Sequence, residues 1–176
     1  MKKFTIASVI LFAITCLFSC SKSSPGTPSK PTYTKCDVVS ISCTSIPFTN
    51  QYGQQWDALE PYDNPLPDPY FTINDELNNA LIKSPTVWNV SPANLPILWT
   101  LSPSFTFPDY NGVYTLQVWN DNTNVGGRPN DLMSTITDLS PIIMATKGNG
   151  YPTTVTNNSI SSTSNFNVIM TLYWHN

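Results

Sequence analysis

Positive charge nearly runs out after the first fifth of the chain. From Asp37 onward only Lys83, Arg128 and Lys147 stand against all eleven acids, a formal charge of −8. A surface of that sign repels phosphate, which argues against nucleic acid, and it disfavours docking on an anionic membrane by charge alone, although cations bound among the acids could invert the local field. Histidine is limited to His175, next to the C-terminus. Neither Cys36 nor Cys43 has an obvious basic activator, so no catalytic triad can be drawn and no enzyme is expected. Asp57, Asp63 and Asp68 could pair for glycoside hydrolysis, but a catalytic cleft is not expected in so small a domain. Charged residues are only 11 % of the chain, which excludes long solvated helices. No nucleotide-binding loop, internal repeat or coiled coil is present. What is abundant is proline, with 16 residues, and aromatics at 12 %, alongside much Ser, Thr and Asn. That composition suits short strands joined by many turns.

The N-terminus carries the clearest signal. Met1-Lys2-Lys3 is basic, and Phe4 to Phe18 is apolar and uncharged. The run is shorter than the roughly twenty residues a membrane-spanning helix needs, and it reads as an export signal. It closes on Leu17-Phe18-Ser19-Cys20, which resembles the lipobox of bacterial lipoproteins. That resemblance implies that Cys20 is alkylated by diacylglycerol and becomes the first residue after cleavage. Ser21 to Lys35 is a Ser/Thr/Pro-rich tether with almost nothing to bury. The expected organisation is a signal over 1–19, a lipidated cysteine and tether over 20–35, and one domain over 36–176. In the lipoprotein resemblance, Ser21 after the modified cysteine implies an outer-membrane lipoprotein of the cell envelope. A periplasm-facing anchor is the first expectation, with surface display left open.

Strands dominate the remainder. Phe166, Val168, Met170, Leu172 and Trp174 alternate with polar residues, as do Tyr114, Leu116 and Val118, and Val39, Ile41 and Cys43. Further runs at Tyr70–Asn74, Ile97–Phe107, Leu132–Leu139 and Tyr151–Ile160 bring the count to seven or eight. The expected fold is all-β, an antiparallel sandwich of about eight strands. Asp75 to Ile82 reads equally as a short helix or a strand edge. If Cys36 to Cys43 is extended, its ends lie roughly 23 Å apart, far beyond the about 4.4–6.8 Å that a disulfide tolerates. Cys43 is then a core residue, unless the chain turns back near Asp37.

Six acids gather in two loops: Asp57, Glu60, Asp63 and Asp68 precede one strand, and Asp121 and Asp131 lie between two others. Like charges so close destabilise the fold unless something offsets them. Calcium is the natural cation, since it takes carboxylate, amide and backbone oxygens, whereas zinc or copper would want more His and Cys. Asp-Pro and Asn-Asp sequences also make turns, and acidic loops keep a lipoprotein soluble without binding a metal.

Pro67-Asp68-Pro69-Tyr70-Phe71-Thr72-Ile73 resembles the Asp-Pro-Tyr segment that opens the second strand of C2 domains, and Trp56-Asp57 resembles their first calcium loop. Leu116-Gln117-Val118-Trp119-Asn120-Asp121-Asn122 and Asn130-Asp131-Leu132-Met133 resemble the strand, third loop and next strand of the same family. Leu98 to Phe107 sits where that family has its fourth strand. The resemblance implies a C2-like sandwich whose loops at one end hold calcium and couple it to a phospholipid or a protein. It implies Asp57 and Asp68 as loop-one ligands and Asp131 as the late ligand of loop three. Asn120 stands in place of that loop's first acid, and Asn122 or Asp121 in place of the second, while Asp63 falls in an insertion. An amide retains the oxygen but loses the charge on which calcium affinity depends.

The expected function is therefore a membrane-anchored, non-catalytic, calcium-dependent binding module that meets an envelope protein, phospholipid or glycan. The alternative is a metal-free carbohydrate-binding or adhesin-like sandwich. Trp174, Trp99 and Trp119 lie within strands, which leaves Trp56 and Trp88 as the loop tryptophans able to face a sugar.

Overall fold

The alternation near the C-terminus produces a strand, β8, over Asn167–His175, whose even-numbered residues from Val168 to Trp174 are all buried. Residues 32–57, 65–123, 128–158 and 166–176 are described by the computed structural model; Cys20, Glu60 and Asp63 lie outside the described residues. The other strands are β1 (Lys35–Ser45), β2 (Pro69–Asn74), β3 (Ala80–Lys83), β4 (Ile97–Thr106), β5 (Tyr114–Asn120), β6 (Asp131–Leu139) and β7 (Thr154–Asn158). One short helix, α1 (Pro141–Ala145), lies between β6 and β7.

The eight strands make two antiparallel four-stranded sheets, ordered β4-β1-β8-β7 and β3-β2-β5-β6. This is the all-β, eight-stranded sandwich that the alternation predicts. Val38, Ile41, Val168 and Met170 from one sheet, with Phe71 and Leu116 from the other, have no measurable exposure and belong to one core. Removing such side chains from water is the main force holding the sheets together.

One local outcome differs from the sequence reading. On β1, Val38 rather than Val39 faces the core with Ile41 and Cys43. Val38 pairs with Leu172 and Ser40 with Thr171, so Val39 is an extra residue that shifts the phase of everything before it. Trp119 lies within a strand, as expected, and points outward, because β5 buries Tyr114, Leu116, Val118 and Asn120 and leaves the intervening residues half-buried. Asp75 to Ile82 resolves into a turn and the edge strand β3. The Asp75 carboxylate accepts the backbone N–H groups of Leu77 and Asn79 at 2.9 and 2.8 Å and stops any helix from starting.

Cys36 and Cys43 are both buried and free. Burial pushes each thiol up to about 12, helped at Cys36 by the neighbouring Asp37 charge. At pH 8 roughly one molecule in ten thousand would then carry either thiolate. Iodoacetamide at that pH is expected to leave both residues unmodified in the native protein and to label both in urea, as read by intact mass. Labelling of either at the rate of a small thiol would show that β1 opens readily.

The sandwich has two distinct ends. At one, Lys35 opens β1 opposite His175, Phe107 N–H donates to Cys36 O at 3.1 Å, and the rings of Phe107 and Tyr114 lie 4.8 Å apart. At the other, Cys43 pairs with Ile97, Trp99 Nε1–H donates to Pro85 O at 3.1 Å, and Pro69 pairs with Asn120. The Lys35 side and the Asn120 side are thus separated by the length of β1, about 33 Å for eleven extended residues.

Candidate functional site

The same alternation that buries Leu116 and Val118 carries Asn120 to an inward position at the end of β5, where its side chain has no exposure. A buried amide is costly unless its polar atoms find partners. Asn120 Oδ1 accepts the Asp68 backbone N–H at 2.7 Å, and Nδ2 donates to Asp57 Oδ1 at 2.9 Å and to Asn122 Oδ1 at 2.8 Å. Asn122 continues the chain: its Nδ2 donates to Pro129 O at 2.6 Å and to Asp131 Oδ2 at 3.0 Å. Its backbone N–H donates to Asn130 Oδ1 at 2.8 Å, and Asn130 Nδ2 in turn donates to the Tyr70 hydroxyl at 2.9 Å.

The direction of these bonds is fixed by groups that cannot reverse. Turning the Asn120 amide over would set Nδ2 against the Asp68 N–H, donor against donor. Turning Asn122 over would set its oxygen against the Pro129 carbonyl, acceptor against acceptor. Both amides therefore offer N–H groups, not oxygens, to the carboxylates of Asp57 and Asp131.

Asp57, Asn120, Asn122 and Asp131 are thus brought into one network. Asp68 meets it through its backbone, while its carboxylate accepts the Asn89 N–H at 2.5 Å. Asp121 points elsewhere. Burial works against its charge, but the Thr86 hydroxyl at 2.6 Å, the Thr123 N–H at 3.1 Å and the pull of Lys83 outweigh that and lower its pKa. Among the described residues no three His, Cys, Asp or Glu side chains gather as a metal site would need. With their oxygens committed to N–H donors, Asn120 and Asn122 do not fit as calcium ligands in this arrangement. Thr86, Asn89, Asn130 and the Pro129 carbonyl were not foreseen as members; only the alternation of β5, extended one step further, pointed to the burial of Asn120.

The tryptophans divide differently from the sequence expectation. Trp56 is buried, and its Nε1–H donates to Pro47 O at 2.7 Å, so it closes the loop after β1 and offers no face to a sugar. Trp88 is 47 % exposed. Its neighbours are nevertheless pinned: Val87 N–H donates to Pro69 O at 2.9 Å, Asn89 N–H to Asp68 Oδ1 at 2.5 Å, and Val90 N–H to Pro67 O at 2.9 Å. Trp88 thus carries an exposed indole on a backbone fixed at both neighbouring residues, the second of which donates to the Asp68 carboxylate.

No protein-family model and no curated protein matches the chain. Among solved structures it is similar to that of BON1-C2B, with 8 % identity over 82 % of this chain and 94 % of that one and a TM-score of 0.49.

Proposed function

We propose that the chain is a lipid-anchored, non-catalytic binding module with a C2-like sandwich, which meets a cationic protein surface in the cell envelope through its acidic loop end. The observation that carries this reading is Trp88, nearly half exposed while the residues on both sides of it are hydrogen-bonded into the fold. A rigid exposed indole is the kind of side chain on which binding energy concentrates, because little freedom is lost when it is covered. The acidic residues of the same loop end favour Lys or Arg, and an indole face adds a cation–π contribution of roughly 0.5–2 kcal/mol. The lipid anchor rests on the basic start, the apolar run and Cys20.

Within the described domain, Lys35 at the start of β1 and the Trp88 loop lie at opposite ends of the sandwich. The chain's single histidine lies away from this loop end, with its Nε2 3.0 Å from Asp37 Oδ1 near the start of β1. Calcium has no part in this reading, because Asn120 and Asn122 turn N–H groups toward the carboxylates. The glycan alternative loses one of its two loop aromatics with the burial of Trp56.

The test is made in a bacterium that processes lipoproteins. The full chain is expected in the detergent-soluble membrane fraction and a Cys20→Ala variant in the aqueous one. A benzophenone amino acid at position 88 is expected to crosslink to a discrete basic envelope protein, while one at Tyr173, 60 % exposed on a sheet face, gives no such adduct. Equal adducts from both positions, or none from position 88, would overturn the loop-end assignment, and a membrane-bound Cys20→Ala would overturn the anchor.

A further inference from the structure

We infer that Asn120 and Asn122 form an amide clasp that does internally what a bound divalent cation would do, so that the loop end is organised without metal and Asn120→Asp alone makes it cation-dependent. Four observations lead there. Asp57 comes from the segment that follows β1 and Asp131 opens β6, and both are reached by one pair of buried amides. Each carboxylate accepts an amide N–H, the group whose partial positive charge faces it. The amides are themselves linked, Asn120 Nδ2 to Asn122 Oδ1 at 2.8 Å, so the clasp is a single unit. Its polarity is set at its outer ends by the Asp68 N–H and the Pro129 carbonyl, neither of which can change role.

A cation and a clasp differ in one physical respect. A cation stabilises the native state by an amount that rises with its free concentration, so its effect vanishes under chelation. A side-chain amide is always present at full occupancy. The loop end, and whatever it binds, is then indifferent to calcium concentration. Exchanging Asn120 Nδ2 for a carboxylate oxygen removes both donated hydrogen bonds and sets two carboxylates at hydrogen-bond distance in a buried place. That arrangement is unfavourable unless a cation enters between them.

The experiment is thermal unfolding of the full lipidated chain in detergent, as wild type and as Asn120→Asp, each in chelator and in millimolar calcium. The wild type is expected to melt at the same temperature in both. The variant is expected to melt several degrees lower in chelator and to recover most of that loss in calcium. A calcium-raised melting temperature in the wild type would overturn the clasp. So would a variant as stable as wild type in chelator, since the donated bonds would then not matter. A variant weakened in chelator and untouched by calcium would overturn the equivalence with a cation. Should that variant fail to fold, the side-chain amide NMR signals of wild-type Asn120 decide: slow exchange that calcium leaves unaltered supports the clasp, and rapid exchange or a calcium-induced shift overturns it.

Discussion

Replacing Phe71 with alanine lowers the stability of the domain by about 3–5 kcal/mol, a large part of the roughly 5–15 kcal/mol that typical domains possess. The size follows from where the ring sits. Phe71 has no exposure, and its edge meets the Trp99 ring across the sandwich, centroids 5.3 Å apart and planes at 77°. Phe71 belongs to β2 and Trp99 to β4, so the contact joins the two sheets. Truncation leaves a cavity between sheets whose backbones are each locked by their own ladders, and little collapse can fill it. It also removes an aromatic pair worth roughly 0.5–1.5 kcal/mol beyond buried area. Urea unfolding of wild type and variant measures the loss as a lower midpoint at unchanged slope. Leu98→Ala, at a position 62 % exposed on the same strand as Trp99, is expected within about 0.5 kcal/mol of wild type. A Phe71→Ala variant that loses no more than Leu98→Ala would mean that the sheets do not meet at this ring.

Phe71 also marks how far sequence alone reaches. The period of two in β5 and β8 is legible because both strands run inward and outward without interruption, and it yields the sandwich. On β1 the same reasoning places Val39 in the core, and a single bulged residue moves that role to Val38. No local signal in Val-Val-Ser marks the bulge; it shows only in the pairing of β1 with β4 and with β8, the latter more than 130 residues away. Trp119 shares the phase of Thr115 and Gln117 on β5 and lies on the outer face, paired with Tyr70. In the acidic loops, sequence identified the residues and not their chemistry. Whether an asparagine offers oxygen or N–H depends on what lies beyond it, and here that is the Asp68 backbone, 52 residues before Asn120, and the Pro129 carbonyl.

That dependence makes Asn120→Ala the sharpest test of how the loop end is held. The substitution removes the acceptor for the Asp68 N–H and the donors to Asp57 and Asn122, and it does so where no exposure is measurable. A buried polar group left without its partner costs about 1–3 kcal/mol, reduced where water can enter the vacated space. The expected loss is about 2–5 kcal/mol in urea unfolding. Asn122→Ala removes the donors to Pro129 and Asp131 and should destabilise for the same reason. The two effects are not independent, because each amide orients the other through the bond between them. The double variant is therefore expected to lose less than the sum of the singles, by about 0.5–3 kcal/mol. Had the amides merely filled separate polar sites, the losses would add to within about 0.5 kcal/mol. Coupling of the larger size means that Asp57 and Asp131 are tied through one continuous set of hydrogen bonds. A loop end tied in that way keeps its shape before any partner arrives.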